Sequence, residues 1–105
     1  YPNSDLAQMV SEYGAVLEMG FSSIPNGIWD PLDHDRLISV QDVGDMIRLV
    51  GAENVVLTSD TGQLSTAMPI EAIRLWISHM RTQGFNQDEI DKMTKTTPAR
   101  LLGLD

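Results

Sequence analysis

The sequence predicts an α/β fold in which two parallel strands are joined by a helical crossover and backed by further helices. Three observations carry that expectation. Two short apolar runs, Ala15 to Phe21 and Asn54 to Ser59, are separated by a stretch that contains a helical apolar stripe. Strand, helix and strand in that order imply a crossover and parallel pairing, because antiparallel neighbours can be joined by a tight turn. The second run, Asn54-Val-Val-Leu-Thr-Ser-Asp60-Thr-Gly-Gln63, is rich in β-branched residues and ends abruptly in a carboxylate, a glycine and a polar loop. In parallel α/β architectures a buried strand delivers an acid in this way to the rim where chemistry is done.

Taken in order, Asp5 to Tyr13 reads as a helix, with Leu6, Met9, Val10 and Tyr13 spaced along one face and Gly14 as its stop. Ala15 to Phe21 is the first strand, interrupted by Glu18. Ser22 to Ile38 is a long connection with Pro25, Gly27 and Pro31, and with Asp30, Asp33, His34 and Asp35 near its end. Ser39 with Asp42 forms a near capping box for a helix from about Gln41 to Val50, whose stripe is Val40, Val43, Met46, Ile47 and Val50. Gly51 ends it. After the second strand and the Asp60 to Met68 loop, Pro69 suits the first position of a helix running to about Gln83. Ile70, Ile73, Trp76, Ile77 and Met80 are its expected inward face, and Gly84 its stop. Asn86 with Glu89 opens a fourth helix, and Thr97-Pro98 opens a last short one that ends at Gly103.

Two strands are too few. Near-continuous apolar runs in parallel sheets are expected to be buried on both faces, and stable sheets usually have three or more strands. The chain therefore reads as part of a larger barrel or open sheet, or as a unit that completes one by association. Its 105 residues allow one domain at most. It starts at Tyr1-Pro2 rather than Met, so an upstream portion is expected.

Composition narrows the chemistry. Hydrophobic content of 42% and charged content of 21% are those of a globular protein rather than a disordered one. A net charge of −8 with seven Lys and Arg argues against nucleic-acid or anionic-lipid partners, both of which require clustered cations. With no cysteine there is no disulfide, thiolate metal site or cysteine nucleophile, which fits a reducing, cytoplasmic setting. No apolar run approaches the roughly 18 residues of a membrane span.

Strand alternation sets the directions of the candidate site residues. If Asp60 points into a site, Val56 and Thr58 share its face while Val55, Leu57 and Ser59 face the helices. Val16, Glu18 and Gly20 share a face on the other strand. Glu18 turned toward the helices would need an ion-pair partner, Arg48 or Arg74, since a lone carboxylate there is costly. Turned toward the mouth, it would stand on the same rim as Asp60, where two carboxylates can bind a metal or divide acid and base roles. Asp60 also has a purely local reading as a turn or cap acceptor, because Asp-Thr-Gly is good turn chemistry. His34 and Gln63 are further possible site-lining residues. The Asp30 to Asp35 cluster lacks the spacing of a calcium loop and reads as a solvated turn. His79 lies mid-helix beside Trp76 and Met80, where a packing or surface role is expected. Ser59 and Ser65 have no histidine at convincing spacing for a triad, and Gly62 lies in no phosphate-cradling motif.

The Val-Val-Leu-Thr-Ser-Asp60 strand, the long and short helices after it, and the closing Thr97-Pro-Ala-Arg-Leu-Leu-Gly-Leu104 together resemble the C-terminal end of amidohydrolase-superfamily barrels. The resemblance covers roughly the last half of the chain. It implies the C-terminal portion of a TIM (β/α)8 barrel, incomplete on its own, from a metal-dependent hydrolase acting on C–N or ester bonds. The family's eighth strand ends in an aspartate that binds the metal and takes a proton from the attacking water, and Asp60 matches that position. Thr97 stands where the family usually has a helix-capping Asn. The family's His-x-His pair and its other metal ligands have no counterpart in this sequence, and a full barrel needs about 250 residues.

The resemblance thus implies a divalent metal, zinc first and manganese or iron as alternatives, in a site this chain only partly supplies. It also implies a small-molecule substrate in the intact parent, with the remainder of the barrel or self-association completing the sheet. Alone, the chain is expected to be inactive. The alternative is a stand-alone acidic α/β module that binds a partner through exposed strand edges. A third reading is a non-metal barrel using Glu18 and Asp60 as acid and base.

Overall fold

The computed structural model describes residues 4–20, 39–59 and 68–104. Helix α1 (Ser4–Tyr13) precedes strand β1 (Leu17–Gly20). Helix α2 (Val40–Val50) and one 3-10 turn (Ala52–Asn54) lead into strand β2 (Val55–Thr58). Helices α3 (Pro69–Thr82) and α4 (Gln87–Asp91), a π-helical turn (Lys92–Thr96) and helix α5 (Thr97–Leu101) follow. The strands pair in parallel, Leu17 with Val55, Glu18 with Val56, Met19 with Leu57 and Gly20 with Thr58. The result is a small, mostly helical α/β domain with a two-stranded parallel sheet among the described residues.

Local chemistry accounts for most of these elements. At the start of α2 the Asp42 N–H donates to Ser39 Oγ at 3.0 Å while the Ser39 N–H donates to Asp42 Oδ2 at 3.3 Å, the reciprocal pair of a capping box. Asn86 and Glu89 repeat the arrangement at α4. Pro69 occupies the first turn of α3, where its missing N–H costs nothing. Gly51 closes α2 at φ +87°, with its N–H on the Ile47 carbonyl at 2.8 Å. A side chain there would be strained, so the turn into β2 depends on glycine.

The core lies between one face of the sheet and the helices. Met19, Val55 and Leu57 meet Val43, Met46, Ile47 and Val50 of α2, Ala72, Trp76 and Met80 of α3, and Phe85, Ile90 and Met93 beyond. The α2 stripe is the one expected from its spacing. Gly44 adds something the periodicity conceals: a Cβ there would stand 3.0 Å from Gln83 Oε1 and 3.3 Å from Arg48, so its absence lets the end of α3 close on α2. Arg48 completes that junction by donating to the Gln83 carbonyl and lying over the Phe85 ring, 4.8 Å from its centroid.

Three expectations need correction. In α1 only Val10 is buried, with Leu6 and Ala7 beside it, while Met9 and Tyr13 are exposed. The helix rolls toward the small Ala7, which puts Met9 on the flank and leaves Tyr13 in the last turn. In α3 the buried line is Ala72, Trp76 and Met80; Ile73 and Ile77 are its margin, and Ile70 is 70% exposed. At about 100° per residue Ile70 falls roughly a third of a turn from that line.

The last correction concerns Thr97, which does not cap a new helix. The chain stays helical from Gln87 to Leu101 and widens at 92–96, where the Thr97 N–H reaches back five residues to the Lys92 carbonyl. A π-type turn just ahead of Pro98 accommodates a residue that has no N–H to give to the ladder.

Candidate functional site

The two sides of the sheet are chemically different. Leu17, Met19, Val55 and Leu57 turn toward the helices, as alternation requires. Val16, Glu18, Val56 and Thr58 line the opposite side and, with Leu101, form an open cleft of about 420 Å³. The shared face inferred from the sequence for Val16 and Glu18 on one strand, and for Val56 and Thr58 on the other, is therefore a single lined surface. Leu101 was not foreseen. Its signal was available, as an apolar residue following Thr-Pro-Ala-Arg, but nothing in the sequence places that helix beside β2.

Glu18 faces this cleft rather than the core. Its Oε1 accepts a hydrogen bond from the Thr58 hydroxyl at 3.0 Å. The register sets Glu18 opposite Val56, so Thr58 is the diagonal neighbour two residues on, within reach of a long side chain. Thr58 is held from behind as well, because the buried Trp76 indole N–H donates to its carbonyl at 2.8 Å. The reading of Glu18 as a buried ion pair is thus overturned. The side chain is on the open face, Arg48 pairs with Asp45 at 3.2 Å, and Arg74 pairs with Glu71 at 3.1 Å. Both arginines sit on helix surfaces, while alternation sends Glu18 to the side away from the helices.

Asp60, His34 and Gln63 lie outside the described residues, as do Trp29 and Ser65. His79 is half-buried in α3 and away from the cleft lining, and Trp76 is fully buried in the core as expected. Among the described residues no three His, Cys, Asp or Glu side chains are grouped so as to hold a metal ion, and Glu18 is the acidic side chain in the cleft lining. No described helix is long and apolar enough to cross a membrane.

The closing segment has a structural task that its residue types explain. Thr97 is 2% exposed, and its hydroxyl donates to the Glu53 carbonyl at 3.0 Å; the Arg100 guanidinium donates to the same oxygen at 3.0 Å. Glu53 belongs to the turn just before β2, so two donors from the C-terminal helix hold the entry of that strand. A second open cleft, lined by Lys95, Thr96, Ala99, Arg100 and Leu104, lies along the same helix. Its two cations are already engaged, Lys95 with Asp91 at 3.4 Å and Arg100 with Glu53.

Comparison of the chain with protein-family models, with curated proteins and with solved structures gave no match in any of the three.

Proposed function

We propose that this chain is the closing part of an amidohydrolase-type barrel, a metal-dependent hydrolase to which it contributes Asp60. The observation that carries the reading is the asymmetry of the sheet: one face is packed by the chain's own helices, while the other lines an open cleft. In a (β/α)8 barrel the helices cover the outer side of the strands and the inner side is completed by other strands. Two strands whose second side, with Val16, Val56, Glu18 and Thr58, is open among the described residues fit that requirement. Asp60 follows Thr58 by two residues, so continued alternation would give it the same side as Glu18 and Thr58.

In the proposed parent enzyme the Asp60 carboxylate would be one of the three or four ligands of a divalent ion, zinc first, and would take the proton from the attacking water. The metal would supply Lewis-acid activation of water and substrate. Among the described residues no metal site is formed, and in this reading the remaining ligands would be supplied by the rest of the barrel. Glu18 and Thr58 would line the mouth as substrate contacts. The Thr97 and Arg100 bonds to Glu53 would secure β2 at the end opposite the chemistry, where TIM barrels keep their stabilising features.

The test is the DNA upstream of codon 1, followed by purification of the full product. A His-x-His strand upstream, stoichiometric metal in the product and a loss of at least about a hundred-fold in kcat on Asp60→Asn are expected, the last in line with removal of a general base. A start codon directly before Tyr1, together with a folded monomeric product of 105 residues, would overturn the reading in favour of a stand-alone partner-binding module.

A further inference from the structure

We propose that α5 is the floor of the barrel, and that in the whole enzyme Leu101 is packed by apolar inner side chains at the starts of the other strands. The inference rests on the preceding reading of the sheet; it adds which element closes the end opposite Asp60, and against what. The path of the chain carries it. Met93, in the π-helical turn, belongs to the core on the helix side of the sheet. Leu101, at the end of α5, lines the opposite side with Val16 and Val56. Between them Thr97 and Arg100 both donate to the carbonyl of Glu53, which lies in the turn immediately before β2. The strands are parallel with Leu17 in register with Val55, so β1 starts at the same end. The chain therefore passes around the strand starts and sets Leu101 under their inner side.

The end of α5 is held there by its own stop. Gly103 takes φ +73°, its N–H donates to the Arg100 carbonyl at 3.1 Å, and the Leu104 N–H donates to the Ala99 carbonyl at 2.8 Å. These two bonds form a glycine stop, which satisfies the last carbonyls without extending the helix. Leu101 is thus fixed in place, yet it is 58% exposed. A single exposed leucine needs no explanation by itself. One that shares a lining with Val16 and Val56 does, because a (β/α)8 interior is a packed core filled by layers of branched apolar side chains. The lowest layer has strands around it but must be closed from below, and Leu101 does so from α5. A second copy of this chain is the poorer occupant. A chain charge of −8 opposes self-association, and a two-fold contact across this side would bring two copies of Glu18 together.

The experiment is thiol labelling of the full product carrying Leu101→Cys or Leu102→Cys, with folding checked by circular dichroism. Labelling is read by mass spectrometry on the substituted peptide, and residues 1–105 contain no cysteine of their own. Leu102, 75% exposed and outside the cleft lining, is the reference. Leu101→Cys is expected to react with N-ethylmaleimide at least about ten-fold more slowly than Leu102→Cys, because a buried thiol is reached only through local opening. Should a variant not fold, the methyl signals of the unsubstituted product give the same reading: a soluble paramagnetic agent is expected to broaden Leu102 and spare Leu101. Equal labelling rates, equal broadening, or protection of Leu101 that disappears on dilution, as cover by a second copy requires, would each overturn the proposal. Protection of Leu101 beside a fully active Asp60→Asn variant would sink the catalytic assignment and leave the floor standing. An accessible Leu101 beside an inactive Asp60→Asn variant would do the reverse.

Discussion

Along β1 and β2, Leu17, Met19, Val55 and Leu57 enter a helical layer, whereas Val16, Glu18, Val56 and Thr58, each one residue away, line a cleft. The packed set is wholly apolar, whereas the open set joins Val16 and Val56 to the polar Glu18 and Thr58, and valine occurs in both. What separates them is which side the crossover helix and its successors occupy. The packed side is stabilised by area removed from water and by close contact. The open side holds polar chemistry next to apolar surface, which is a poor arrangement for stability and a good one for binding.

That contrast can be tested from its strongest element downward. Trp76→Ala removes a fully buried ring and the donor to the Thr58 carbonyl. It is expected to cost about 3 to 5 kcal/mol in urea unfolding, a large share of the roughly 5 to 15 kcal/mol typical of a domain. Next comes the pair of neighbours Leu57→Ala and Val56→Ala. The first is expected to cost about 2 to 5 kcal/mol and the second about 1 kcal/mol or less. Equal costs would mean that both faces are covered in solution, and sedimentation velocity on the same samples would show whether a second copy provides the cover.

Thr97→Val tests the helical grip on β2. Losing the hydroxyl donor while Arg100 remains on the Glu53 carbonyl should cost about 0.5 to 1.5 kcal/mol, read by the same unfolding assay. The smallest effect lies in the exposed relay Arg81, Gln87, Asp91 and Lys95. The Gln87 amide, donating at 2.8 Å, is the main reason that the Asp91 carboxyl titrates below its ordinary value of 3.8; burial opposes the shift and Lys95 adds to it. A depressed carboxyl contributes stability that is present above 3.8 and is lost as pH falls through the lowered value. Gln87→Ala should therefore move the Asp91 titration, followed by carboxyl-carbon NMR, upward toward 3.8.

Much of the architecture is legible in the residues because it depends on short-range chemistry. Ser39 with Asp42, Asn86 with Glu89, Pro69 and Gly51 mark their helix ends through bonds made within a few residues. Period-two alternation likewise predicts the shared side of Val16 and Glu18 on one strand and of Val56 and Thr58 on the other. Periodicity fails where a helix could roll to either side of its apolar stripe, as α1 does toward Ala7 and α3 does away from Ile70. It fails too for Thr97, whose role depends on a carbonyl 44 residues away.

For the candidate site, residue types and alternation are enough to nominate Glu18 and Asp60, and to group Val16 with Glu18 on one strand and Val56 with Thr58 on the other. They leave open whether Glu18 meets an arginine or faces outward. The parallel register decides that by bringing the Thr58 hydroxyl diagonally to the Glu18 carboxylate. Register, the choice of the packed face, the closing of α3 over Gly44 and the double grip on Glu53 all join segments distant in sequence. Local preferences carry no information about such pairings; they emerge only when burying the common core selects one arrangement of the whole chain.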